Sequence, residues 1–248
     1  MRERRGIIRL TPLLAGLACG SPFALTVPDS PPEFIVVQGV LATIGSTQTL
    51  WIERSGFADS ALTTLPRPLD PPPARIEVRD TAGGVFVFVR DPENPARFTA
   101  DFTPVPGRRY DLLVETRERR VTGAVVVPPP IRLVEPAGDT VAVASGDSLR
   151  VRWTSGSSRQ FAWTVSPLDS TMWGRAPARE FTRDTILTLP GFVFGSSSVL
   201  WVLSMDAATW AYFRSSRRPE ERTILGNLVG GVGVFGAMTA ARVVVQGS

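Results

Sequence analysis

Hydrophobic and polar positions alternate with a period of two through most of the chain, as in strands with one dry and one wet face. The clearest case is residues 74–80, where Ala74, Ile76 and Val78 alternate with Arg75, Glu77 and Arg79. Residues 34–37 and 48–53 open the pattern, and 97–102, 110–114 and 122–127 continue it. Residues 85–89 follow a Thr-Ala-Gly-Gly turn and read as the second arm of a hairpin. Beyond three consecutive prolines at 128–130 the alternation resumes in 149–153, 161–165 and 186–189. Residues 199–203 are apolar throughout and predict a central strand. Residues 206–216 break the period: Trp210, Phe213 and Arg217 recur at helical spacing behind Asp206, a favourable N-cap. Val232, Val234 and residues 242–245 predict a last strand, with glycines allowing close backbone approach.

The fold class expected is all-β: two tandem β-sandwich domains with one short helix in the second. Twenty-two prolines and 22 glycines supply the turns such a fold requires, and 248 residues exceed the usual single-domain length. The domains are expected at 34–127 and 131–247, split by the stiff 128–130 spacer, which cannot donate to a sheet. Residues 55–73 form a long connection with five prolines. Phe57, Leu62 and Leu65 there are candidate partner contacts, and a plain ordered insertion is the other reading. Trp210, Tyr212, Phe213, Arg214, Arg217 and Arg218 form a second candidate contact surface. Its alternatives are helix packing for the aromatics and a solvated loop for the arginines. Five of the six tryptophans lie beyond residue 130 and read as core, with sugar stacking as the sharper alternative.

The N-terminus follows a different logic. Arg2, Arg4, Arg5 and Arg9 precede the short, mostly apolar run from Leu10 to Ala18, which is far below the roughly 20 residues of a membrane span. A basic head, a short apolar run and small residues at its end describe an export signal, expected over residues 1–18. Gly16, Leu17 and Ala18 precede Cys19, the single cysteine of the chain. This run resembles the lipobox of bacterial lipoproteins, with Gly16 in place of the large aliphatic residue of the pattern. The resemblance implies that Cys19 is the lipid attachment site, with 19–33 a proline-rich tether. An ordinary cleaved signal with an incidental cysteine is the other reading. Arg4-Arg5 also loosely resembles a twin-arginine signal.

Charge and composition then narrow the chemistry. The formal charge is +4, but residues 1–18 carry four Arg and one Glu, so the remainder is about +1 with its signs interspersed. That balance gives no footprint for nucleic acid. The chain has neither His nor Lys, which removes Ser-His-Asp triads, His-ligated metals, Schiff bases and P-loops. No cofactor and no protein-bound metal are expected. Hydrolysis would need two convergent carboxylates, and Asp139, Asp147, Asp169, Glu180, Asp184 and Asp206 stand mostly beside turn residues or arginines. They are expected not to converge, and the protein is expected not to be an enzyme.

Three further resemblances complete the reading. The order of strands and turns in 74–114 is similar to the prealbumin-like, or carboxypeptidase-regulatory-like, sandwich. The strands of the second half, with a Trp on an early one, resemble fibronectin-III or immunoglobulin-like units. Residues 226–238, GNLVGGVGVFGAM, lack the strand-turn-helix context of a dinucleotide loop. With Asn227, Leu228, Gly230, Gly231, Gly233, Val234, Phe235, Gly236 and Ala237, this block resembles the end of a family of bacterial outer-membrane lipoproteins known only as a domain of unknown function. Membership implies a lipid-anchored outer-membrane protein, exported, with an accessory or interaction role beside a TonB-dependent transporter or another envelope protein. A surface module for glycans or peptides is the alternative of a different class, and a carboxylate-dependent hydrolase a remote third.

Overall fold

The computed structural model describes residues 34–54, 67–70, 72–154, 156–168, 180–215 and 226–247. In the first half, the alternation becomes β1 (Ile35–Ala42), β2 (Thr47–Arg54), β3 (Arg67–Pro68), β4 (Arg75–Asp80) and β5 (Val85–Val87). Then come β6 (Val89–Arg90), β7 (Arg97–Asp101), β8 (Arg109–Glu115) and β9 (Arg120–Val126). The second half adds β10 (Leu133–Glu135), β11 (Thr140–Val143), β12 (Ser148–Trp153), β13 (Phe161–Pro167), β14 (Glu180–Thr182), β15 (Ile186–Pro190) and β16 (Ser198–Met205). The one α-helix among the described residues, α1 (Ala207–Ser215), is followed by a 16-residue strand, β17 (Val232–Gly247). The fold is thus all-β with one short helix, as the period of two dictates.

Two sandwiches are stacked along one extended sheet. A four-stranded sheet, β5-β4-β8-β9, covers the half that holds β17, β1, β2, β7 and β6. A three-stranded sheet, β10-β12-β15, covers the half that holds β14, β13, β16 and β17. Residues 85–89, expected as one strand, change sheets at Phe88: β5 pairs with β4, whereas β6 pairs with β7. Phe88 buries its ring at the corner, edge-on to Phe102.

β17 joins the two halves. From Val232 to Met238 it runs parallel to β1, with Val36 opposite Val232 and Ala42 opposite Met238. From Met238 onward it runs antiparallel to β16, with Met205 opposite Met238 and Ser198 opposite Val245. Its odd-numbered residues serve both cores. Phe235 and Ala237 enter the first, and Val243 and Val245 enter the second. Its even-numbered residues Met238, Ala240 and Val244 face the other way, into a third cluster with Leu203, Met205 and Trp210. Every residue of β16 is buried, as a central strand with apolar residues on both faces requires.

The tandem arrangement expected from sequence, with a break at 128–130, therefore needs one amendment. Residues 232–238, expected in the second sandwich, form the edge of the first sandwich's sheet. The proline spacer is also held in place, because Thr239 donates its hydroxyl to the Pro129 carbonyl at 2.9 Å. Glu33–Ser248 make one compact unit. No helix among the described residues is long and apolar enough to cross a membrane.

Candidate functional site

β4 sends Ile76 and Val78 into the core, so Arg75, Glu77 and Arg79 stand on the outer face of the four-stranded sheet. Glu77 is nevertheless almost wholly buried, its side chain only 2% exposed. Its two neighbours lie over it: Arg75 donates to Oε2 through Nε at 2.9 Å and approaches through Nη2 at 2.7 Å, while Arg79 Nε donates to Oε1 at 2.7 Å. A carboxylate withdrawn from water costs several kcal/mol unless it is paired. Two guanidinium groups at this range supply that pairing and are themselves fixed by it.

The register lays out the rest of this face. Glu77 lies opposite Leu113, and Leu113 opposite Thr122. Arg79 lies opposite Asp111, and Arg75 opposite Glu115, which in turn faces Arg120. Arg109 grips Asp111 through Nε and Nη2 at 3.0 and 2.8 Å. One wall is raised by the segment before β17, where Val229 exchanges backbone hydrogen bonds with Thr122 at 2.8 and 3.0 Å. The result is an open groove of about 670 Å³ over β4, β8 and β9. Charged side chains of both signs border an apolar floor at Leu113 and Ala124. No cysteine or serine lines it, and both oxygens of Glu77 are occupied. This is a surface for polar and ionic contact.

The glycine-rich block forms that wall and the strand behind it. Asn227 acts as a short piece of strand: Nδ2 donates to the carbonyls of Phe235 (2.7 Å) and Ala124 (3.2 Å), and Oδ1 accepts the Phe235 N–H at 3.0 Å. Gly233 has φ +113°, and a Cβ there would stand 2.0 Å from the Val37 carbonyl oxygen. A Cβ on Gly236 would meet the Thr209 hydroxyl at 1.7 Å. Sequence reading singled out these residues for their resemblance but could not assign them this role. The clue available was the glycine spacing, which marks close backbone approaches without naming the partner.

The sequence-derived contact residues divide as follows. Phe57, Leu62, Leu65, Arg217 and Arg218 lie outside the described residues, as do Cys19 and Asp169. Phe213 is buried, 6% exposed, with Tyr212 edge-on to its ring. Trp210 is half-buried against Phe181, and the guanidinium groups of Arg214 and Arg183 lie 4.2 and 5.2 Å from its ring centre. Asp206 caps α1 as expected, accepting the N–H of Ala208 at 2.9 Å and of Thr209 at 3.3 Å. Its other oxygen accepts the Thr209 hydroxyl and the Ala237 N–H, the latter at 2.8 Å, tying the helix to β17. The Asp139 carbonyl receives the Val244 N–H, Asp147 sits in the turn before β12, and Asp184 sits in a turn beside Thr182. Among the described residues, no three Asp, Glu, His or Cys side chains gather as a metal site would require.

Comparison with solved structures gives distant matches. The titin A168169 substructure is 11% identical with a TM-score of 0.25, over 87% of this chain and 97% of that one. A chimeric titin Z1Z2 tandem is 10% identical with a TM-score of 0.26, over 88% and 100%. Three N-terminal domains of the highly immunogenic outer capsid protein of bacteriophage RB49 are 13% identical with a TM-score of 0.24, over 87% and 59%. No curated protein matches the chain. The family described as a domain of unknown function, DUF4249, matches residues 21–243, which take in every described strand up to the last residues of β17. By that match the chain belongs to the DUF4249 family.

Proposed function

We propose that this protein is a lipid-anchored, non-catalytic accessory of the bacterial outer membrane, held there by Cys19. Its folded part is offered to another envelope protein, with a TonB-dependent transporter the first candidate. The observation that carries this reading is the N-terminal sequence: a basic head, a short apolar run and then the chain's single cysteine directly after Leu17-Ala18. The absence of His and Lys supports an interaction role over a reaction centre. The groove over β4, β8 and β9, with its fixed arginines and apolar floor, supplies a surface suited to a protein partner. A glycan-stacking platform at residues 210–213 is the weaker reading, because Phe213 is buried and guanidinium groups already lie over Trp210.

The test is fractionation of cells expressing the wild type and Cys19→Ala. The wild type is expected in the outer-membrane fraction after a high-salt wash, and the variant in the soluble fraction. A Cys19→Ala protein that still sediments with the outer membrane in high salt contradicts the anchor. Purification of the wild type in mild detergent is expected to bring a transporter with it, in an amount reduced by Arg79→Glu in the groove.

A further inference from the structure

The end of the first sandwich at which the folded chain begins has a chemistry of its own. Phe34, 41% exposed, enters β1 there. Beside it lies the turn between β8 and β9, where Thr116 Oγ1 accepts the N–H of Glu118 and of Arg119 and so holds Arg117 at the tip. Arg54, Leu69, Arg117 and Arg119 border a small cleft of about 190 Å³ against Phe34 and Ile35. The segment before β17 closes the same end, because Gly230 abuts the Arg120 carbonyl and Gly231 the Ile35 carbonyl. That segment leaves Val229 72% and Val232 42% exposed. Phe34 thus stands beside Arg54, Arg117 and Arg119, with Arg54 donating to the Asp70 carbonyl at 3.1 Å and Glu118 in the turn.

We infer that this end of the first sandwich docks on an anionic phospholipid surface, with Arg54, Arg117 and Arg119 toward the headgroup phosphates and Phe34, Val229 and Val232 at the interface. The inference rests on the proposed anchor at Cys19. Chain length makes the case for a membrane as the occupant. Fourteen residues lie between Cys19 and Phe34. They reach at most about 50 Å even when fully extended, so this end stays near the lipid. β1 and β17 both run away from it, so the far end of β17, in the second sandwich, lies about 50 Å off. Arginine is suited to the task, since its guanidinium forks to phosphate and keeps its charge at an interface. Exposed apolar tips among cationic groups are the pattern of peripheral membrane contact, and attraction of this kind is screened by salt.

The experiment imposes the anchor chemically, so that failure of docking and failure of lipidation are separate results. The purified chain is coupled through Cys19, its single thiol, to maleimide lipid in phosphatidylcholine vesicles, with or without about one-third phosphatidylglycerol. Amide hydrogen exchange is then followed by mass spectrometry. Exchange in residues 116–120 and 229–232 is expected to slow on phosphatidylglycerol vesicles and to recover in high salt. Uncoupled protein carrying R117Q and R119Q is expected to partition onto the same vesicles about 25-fold less than the wild type, roughly fivefold per arginine. Equal exchange on both vesicle types overturns the inference, as does protection falling instead on the exposed Phe192 region of the second sandwich. Unchanged partitioning of the double variant also overturns it.

Discussion

Asp206 and Asn227 show how much one short polar side chain can hold in this fold. Asp206 accepts two helix N–H groups and the Ala237 N–H of β17. In Asp206→Ala, helix and strand both lose their acceptor, and a loss of about 2–3 kcal/mol is expected in urea unfolding. Asn227→Ala strips the partner from both backbone groups of Phe235 and should cost about 1–3 kcal/mol by the same measurement. Two other carboxylates set the acid limit. Asp80 is held below its ordinary value of 3.8 by the Gly84 N–H, opposed by partial desolvation and helped by Arg108 and the Ala82 N–H. Asp91 is lowered in the same way, first by its hydrogen bonds from Arg97 and then by the N–H groups of Glu93 and Asn94. A depressed carboxylate contributes stability above its unfolded pKa and loses it as pH falls through the folded one. The thermal midpoint should therefore hold above pH 4 and fall below it, and Asp80→Asn should flatten that fall. A midpoint that rises on acidification would contradict the assignment.

At the scale of elements, β17 decides the architecture and its glycines decide β17. Gly233→Ala would place a Cβ against the Val37 carbonyl at a left-handed φ, where backbone can move little, and should cost at least about 3 kcal/mol. Gly236→Ala meets a side chain instead, the Thr209 hydroxyl. Its cost should shrink when Thr209 is also changed to Ala, and a double-mutant cycle in denaturant measures that coupling. Simple additivity of the two changes would contradict the packing described. Much of this was legible in the sequence. The strands around Ile76, Tyr110 and Trp163, the buried central strand at 199–203, and α1 with its Asp206 cap all follow from local periodicity. The role of 232–238 was not legible, because periodicity reports which residues share a face and not which strand lies alongside. Val234 and Val243 both read as strand, yet the first pairs with β1 and the second with β16. The groove was hidden for a related reason. Arg75, Glu77 and Arg79 read as an ordinary wet face, and only the register brings Leu113, Thr122 and Val229 beside them.

For the whole molecule, the consequence of a shared strand is mechanical. Two sandwiches linked only by prolines would be free to unfold and reorient separately. Here one strand gives Phe235 and Ala237 to the first core and Val243 and Val245 to the second, so the two are expected to unfold together. Thr239 adds a hold on the spacer at the midpoint of that strand. The most direct test of this coupling is differential scanning calorimetry of the folded chain. One transition is predicted, with calorimetric and van't Hoff enthalpies equal and an uptake of roughly 150 kcal/mol near 60 °C for a unit of about 200 residues. Two resolved transitions, each with about half that enthalpy, would contradict it.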